Sequence, residues 1–142
     1  MKIQAPRGTL DVLPANQPAR LTVLDAARST AEAYGYGLIV TPTFEDTELF
    51  TRTSGQGSDV VQKEMYTFED RSERSLTLRP EGTASVARAY LEHGLHREPQ
   101  PVKTYYVGPM FRYAAPQKGR YREFWQIGFE ATHRPVAGPP GF

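Results

Sequence analysis

Apolar and polar positions along the chain fall into stretches of two different periods. Up to residue 17 there is neither, and Pro6, Gly8 and Pro14 punctuate an irregular lead-in. From Pro18 onward, Leu21, Leu24, Ala27 and Ala31 recur at helical spacing. This predicts a helix to about Tyr34, opened by the proline and ended by Gly35 and Gly37. Leu38 to Val40 is a short apolar strand stopped by Pro42, and Thr47 is placed to cap a short helix over 48–52. Ser54 to Asp59 is a glycine-rich loop. Residues 64–69 and 75–78 alternate with period two and predict a hairpin with a charged turn at 70–74. Pro80 then opens a helix to about His93, with Gly94 as its C-cap. A strand over 102–112, a loop over 113–121 and a second strand over 122–130 complete the pattern.

Helices and strands mix without regular strand–helix–strand alternation, and several connections are hairpin-sized. The expected fold is α+β, an antiparallel sheet flanked by helices. The last stretch, HRPVAGPPGF, carries three prolines and two glycines. It can neither continue a central strand nor begin a helix. The expected organisation is a folded region over 1–131 followed by an unstructured Pro/Gly-rich tail over 132–142.

Composition narrows the function classes. With 142 residues, there is room for one domain with a modest core. The 17 Lys+Arg against 16 Asp+Glu give no global bias toward nucleic acid, so a basic signal has to be local. There is no cysteine, which excludes disulfides, thiolate metal sites and cysteine nucleophiles. His93, His96 and His133 lack metal-ligand spacing, so no metal site is expected. The N-terminus has no signal-peptide apolar core, and no apolar run approaches the roughly 18 residues that span a membrane. The expectation is a soluble cytoplasmic protein with no membrane partner.

The chemistry concentrates in Tyr105 to Glu130. Strand periodicity puts Glu123, Trp125, Ile127 and Phe129 on one face, expected to be core. Arg122, Phe124, Gln126, Gly128 and Glu130 lie on the other, where an amide and a carboxylate flank a glycine. That floor is expected to be bare and open to a small polar ligand. If Arg112 sits opposite Arg122, Gly108 opposes Gln126 and Thr104 opposes Glu130. Arg112, Gln126 and Glu130 then share the face. The loop between the arms carries Gln117, Lys118 and Arg120 around Gly119, a mobile basic arm suited to phosphate or a nucleic-acid backbone. The plainer reading of periodicity alone is a wet hairpin with a charged face, although glycine floors pack poorly without a ligand.

This segment, FR followed by PQKGRYREF and QIGFE, resembles motif 2 of a class II aminoacyl-tRNA synthetase in its histidyl form. LTLRPEGTASVARAYLEHGL, Leu76 to Leu95, resembles the histidyl family's segment around RPEGTA. YGYGLIVTPTFEDTELF resembles motif 1 with its proline at Pro42, and PRGTLDVLP near the N-terminus also matches. The resemblance covers about residues 5 to 131. It implies an incomplete class II catalytic core, a homodimer built through motif 1, and a histidine–tRNA ligase that activates histidine with ATP and Mg²⁺ before transfer to tRNA(His). Arg112 matches the arginine that holds the ATP α-phosphate and would stabilise charge there during attack by the histidine carboxylate. Glu81 and Thr83 match residues that bind the substrate's α-amino group. Gln126 matches a histidine-binding glutamine, and Glu130 matches a carboxylate that reads the substrate. Lys118 and Arg120 belong to the loop that meets ATP and tRNA. Read alone, Glu81 would simply complement a helix dipole, Thr83 would be a surface residue, and Arg112 would pair with a structural carboxylate.

The pattern also departs from the family. Where an aromatic or His followed by Glu-Arg-Pro is usual, the loop reads Tyr113-Ala114-Ala115-Pro116, and Trp125 stands for a usual histidine. The histidine-specific motif with a second catalytic arginine, motif 3 and an anticodon-binding domain are not in these residues. The expectation is a shortened form, by gene damage or otherwise, whose own activity is in doubt. Two alternatives follow. One is a non-catalytic paralogue resembling the regulatory subunit of ATP phosphoribosyltransferase. The other is an interaction module that keeps the motif 1 surface. The PQKGRYREF loop together with RPEGTA favours the ligase, while Ala114-Ala115 favours the paralogue.

Overall fold

The computed structural model describes residues 3–53, 63–115 and 117–134. The glycine-rich loop at 54–59 and the end of the expected tail, 135–142, lie outside the described residues.

Helix α1 spans Gln17–Ala33, with proline in its first turn. It stops where the sequence says it should. Gly35 takes φ +77°, and the amides of Gly35 and Tyr36 turn back to the carbonyls of Glu32 and Ala31 at 3.1 and 2.9 Å. This closure satisfies carbonyls the helix leaves open. Strand β1, Gly37–Leu38, follows at once. Strand β2, Phe44–Asp46, leads into helix α2, Thr47–Thr53. The cap of α2 is not Thr47. Asp46 Oδ1 accepts from the Glu48 amide at 2.9 Å, while the Thr47 hydroxyl joins those of Ser75 and Thr77.

Strands β3, Thr67–Glu69, and β4, Ser75–Leu78, form the expected hairpin, and β4 lies between β2 and β3 in an antiparallel sheet. At the turn, Asp70 collects the amides of Ser72 and Arg74 and the Arg74 guanidinium. Hydrogen bonds from Arg74, with that of Ser72, hold its carboxyl below the usual carboxylate range. Helix α3 spans Thr83–Glu92, starting three residues after Pro80, and Gly94 beyond it takes φ +66°.

Strands β5, Val102–Phe111, and β6, Glu123–Thr132, pair antiparallel over ten residues each. Together with β1 they form a second sheet, ordered β1-β5-β6. β1 runs parallel to β5, the departure from the all-antiparallel expectation. The irregular lead-in also has a place. The Gly8 carbonyl accepts the Arg122 amide at 2.8 Å, and a Cβ at Gly8 would meet the Arg122 side chain at 2.7 Å.

The core overturns one expectation. Val86 of α3 packs with Tyr106 and Met110 of β5, joined by Ile39 and Phe124. In an antiparallel pair, directly opposed residues share a face. Met110 opposes Phe124 and Tyr106 opposes Gly128. The core therefore lies on the face of Gln126 and Glu130, under α3. The face expected to be core leaves Trp125 52% and Phe129 46% exposed. Arg20 of α1 stacks on Trp125 at 4.1 Å, and Tyr36 meets Phe129 edge-on. Arg88 of α3 reaches the buried Glu45 of β2 at 2.7 Å and so ties the two sheets together.

Candidate functional site

The β5–β6 register pairs Gly108 with Gln126 and Thr104 with Glu130, as expected, and the Arg112 amide donates to the Arg122 carbonyl at 2.9 Å. Arg112, Gln126 and Glu130 thus lie on one face. Helix α3 brings Glu81 and Thr83 to the Glu130 end of it. The Thr83 hydroxyl donates to Glu130 Oε1 at 2.7 Å, a contact bridging 47 residues of sequence. The Glu81 carboxylate accepts from the amides of Thr83 and Ala84, so it caps the helix in this state. The helix-terminus role of Glu81 is therefore observed, and the same bonds hold its carboxylate beside Thr83. Gln126 Oε1 is buried and has no hydrogen-bond partner among the described residues. A buried acceptor without a donor is costly unless a ligand or water supplies one. An ammonium or ring N–H of a small polar ligand would do so.

Arg112 occupies the opposite end of the face. Its Nε donates to the Pro80 carbonyl at 2.8 Å, and its guanidinium lies 5.3 Å from the centre of the Phe124 ring. No structural carboxylate holds it among the ion pairs of the described residues. It lines a cavity of about 250 Å³ with Ala114, Gly119, Arg120, Tyr121 and Phe124. This is room for a phosphate-bearing group beside a fixed cation.

The loop is less free than its composition suggested. Gln117 and Arg120 bridge across a turn in which Gly119 takes φ +79°, and Arg120 pairs with Glu64 at 2.9 Å. Arg120 therefore reaches the cavity as a paired cation, while Lys118 is exposed. Ala114, where the family pattern has a charged residue, is buried, and Arg122 Nε donates to its carbonyl at 3.2 Å.

Residues 8–134 match the family model described as histidyl-tRNA synthetase. The chain belongs to the histidyl-tRNA synthetase family. It is 57% identical over 131 residues to the histidine–tRNA ligase of Syntrophomonas wolfei and 60% identical over 130 residues to that of Desulforudis audaxviator. Each match covers 92% of this chain and 31% of the relative. The fold superposes on apo histidyl-tRNA synthetase from S. aureus with a TM-score of 0.76 at 44% identity, covering 92% of this chain and 33% of that one. It also superposes on an ATP phosphoribosyltransferase regulatory subunit/histidyl-tRNA synthetase from Bacillus halodurans with a TM-score of 0.73 at 27% identity, covering 89% and 31%. The chain thus spans about a third of the length of the curated relatives it matches.

Within this histidyl-tRNA synthetase core, two residues escaped the sequence reading. Tyr106 fills the floor that was expected to be bare. A Cβ at Gly128 would lie 2.1 Å from its Cζ, and one at Gly82 would lie 2.3 Å away. Arg79 does the same at Gly108, where a Cβ would meet its Nη2 at 2.2 Å. Arg79 is 7% exposed and donates to the carbonyls of Pro109 at 2.9 Å and Thr41 at 3.0 Å. Burial works against its charge, with Tyr106 and Glu45 offsetting this. Both floor glycines are therefore explained by side chains of the protein itself. The register contained the signal for Tyr106, since it opposes Gly128. Arg79 stands in the RPEGTA segment, but no periodicity assigned it a place against Gly108.

Proposed function

We propose that this segment carries the histidine-recognition floor and the α-phosphate arginine of a histidine–tRNA ligase. The carrying observation is the convergence of Thr83, Glu81, Gln126 and Glu130 on one sheet face, with the unsatisfied Gln126 Oε1 among them. Glu81 and Thr83 would receive the α-ammonium, Gln126 would orient the amino acid, and Glu130 would accept an imidazole N–H. Arg112, fixed by the Pro80 carbonyl beside its cavity, would meet the α-phosphate of ATP. Mg²⁺ would arrive with the nucleotide's other phosphates and neutralise charge there. Arg112 would hold the growing charge on phosphorus while the histidine carboxylate attacks and pyrophosphate leaves. Lys118 and Arg120 would face ATP and the tRNA(His) acceptor end.

The same reading places the protein in the cytoplasm as a homodimer through the motif 1 surface. It is supported by a strongly exposed Leu38 and Val40 there. Among the described residues no helix is long and apolar enough to cross a membrane. The regulatory-subunit reading rests on Ala114 and on the likeness to the ATP phosphoribosyltransferase regulatory subunit/histidyl-tRNA synthetase of Bacillus halodurans, and it shares the histidine site. Calorimetric titration of the folded chain with histidine and with leucine tests the floor. Heat for histidine alone is expected. Equal or absent heats for both would refute the assignment.

A further inference from the structure

Arg79 does more than fill the floor at Gly108. Strand β1 covers only the start of β5, pairing Gly37 and Leu38 with Thr104 and Tyr105, and the Ile39 amide donates to the Tyr105 carbonyl at 2.9 Å. Residues of equal parity present their main-chain groups to the same edge of a strand, so Pro109 and Phe111 face the way Tyr105 does. Arg79 answers both. Its Nε donates to the Pro109 carbonyl at 2.9 Å, and its own carbonyl accepts the Phe111 amide at 3.0 Å. In the other direction its amide donates to the Thr43 carbonyl at 3.0 Å. Its Nη1 donates to the Thr41 carbonyl at 3.0 Å and reaches the Thr41 hydroxyl at 3.2 Å and the Pro42 carbonyl at 3.4 Å. One residue thus stands in for a strand between β5 and residues 41–43. Its charge is buried, and no carboxylate pairs with it among the ion pairs of the described residues. Oxygen dipoles offset that cost, and a planar guanidinium is the side chain that can serve them together.

We propose that Arg79 is a positioning residue for Arg112, clasping the open edge of β5 to residues 41–43 and thereby holding the Arg112 guanidinium beside its cavity. This rests on the reading of Arg112 as the α-phosphate arginine. The hold passes along two routes. Pro80, the next residue, is fully buried, its φ is fixed by its ring, and its carbonyl accepts Arg112 Nε at 2.8 Å. Phe111, the residue before Arg112, gives its amide to the Arg79 carbonyl. Arg112 is therefore tied to residues 79–80 through its side chain and through its neighbour's main chain. A cation held in this way is in place before a phosphate arrives.

Arg79→Lys keeps the charge and cannot serve these acceptors together. Gly108→Ala leaves Arg79 intact and displaces its guanidinium, since the new methyl would stand 2.2 Å from Nη2. The first arm titrates ATP with Mg²⁺, and separately adenosine, into the wild type, these two variants, Arg112→Ala and the Arg79→Lys/Arg112→Ala double variant. Arg79→Lys and Gly108→Ala are each expected to bind ATP about tenfold more weakly and to bind adenosine as the wild type does. The loss in the double variant is expected to be smaller than the sum of the single losses. Undiminished ATP binding, an equal loss for adenosine, or strictly additive losses would overturn the proposal. The second arm needs no ligand. The Arg112 Nε–H signal in proton–nitrogen NMR, identified by its absence from Arg112→Lys, reports the bond to Pro80. It is expected to exchange slowly with water in the wild type and to lose that protection in Arg79→Lys and Gly108→Ala. Unchanged exchange would overturn the proposal, and so would failure of both variants to fold, which would make the clasp a determinant of the fold and not of the site. If the wild type binds no ATP, the nucleotide reading fails by itself and this second arm still decides the role of Arg79.

Discussion

Glu130 shows how a single side chain divides its bonding. One carboxylate oxygen takes the Thr83 hydroxyl at 2.7 Å, and on the proposed function the other would accept an N–H of the ligand. Replacing Glu130 by alanine removes a charged acceptor from the ligand and orphans Thr83. We expect histidine binding to weaken by about 1 to 3 kcal/mol, measured by titration against a chain whose folding is verified by circular dichroism. An unchanged affinity would place the ligand elsewhere. The residue scale is also where sequence reading was uneven. Arg112, Gln126 and Glu130 could be put on one face because strand parity is rigid, with a period of two and a register that held at Gly108–Gln126 and Thr104–Glu130. Glu81 and Thr83 could not be placed beside them by periodicity, since their approach depends on how α3 crosses the sheet. Only the family resemblance linked them. Arg79 was illegible for a related reason. Its partners are the carbonyls of Thr41, Pro42 and Pro109 and the Thr41 hydroxyl, contacts 30 to 38 residues away that no charged side chain signals.

At the scale of elements, punctuation proved more legible than faces. Gly35, Gly94 and Gly119 end or turn segments with positive φ, where glycine is strain-free. The β3–β4 hairpin and the two long strands lie close to their expected limits. What misled was the choice of core face on β6. A run of Trp125, Ile127 and Phe129 looks more apolar than Phe124, Gln126, Gly128 and Glu130. Yet β5 supplies the apolar bulk for that second face, through Tyr106 and Met110, and α3 covers it with Val86. Burial belongs to the paired strands and their helix together. The packing of α3 on the hairpin thus runs through Tyr106 and the two glycines. Gly128→Ala would drive a methyl to within 2.1 Å of the Tyr106 ring, where only a shift of ring or strand can relieve it. Overpacking of this kind is expected to lower stability by about 1 to 3 kcal/mol in urea denaturation. The same substitution in a Tyr106→Ala background is expected to lose most of that penalty, because the colliding ring is gone.

At the scale of the whole molecule, apolar surface and unpaired cationic side chains are both unevenly distributed. Strand β6 is an edge of its sheet, and Trp125, Phe129, Leu38 and Val40 stand exposed near it and on the motif 1 segment. Edges and patches of this kind pair with other copies. Sedimentation of the 142-residue polypeptide is expected to show self-association with concentration, whereas a monodisperse monomer at all concentrations would contradict this. On the proposed function, charge supply governs the chemistry. Histidine activation gathers negative charge around the α-phosphate while pyrophosphate departs, so cations are needed on several sides of the triphosphate. Among the described residues, Arg112, held at the end of β5 by the Arg122 and Pro80 carbonyls, is the cation that lines the cavity without a carboxylate partner, since Arg120 is paired to Glu64 and Lys118 rides an exposed turn. Loop groups position less precisely than strand groups. The second arginine that the resemblance implies is not among these 142 residues, and Ala114 stands buried where the family pattern carries charge. Removing one preorganised contact of this type lowers a rate by about 10² to 10³, and at least two are missing here. A polypeptide of these residues is therefore expected to make histidyl-adenylate far below ordinary turnover. Histidine-dependent exchange of pyrophosphate into ATP measures this directly. Exchange near about 1 s⁻¹, abolished by Arg112→Ala, would show instead that one arginine at the end of β5 and a short basic turn suffice.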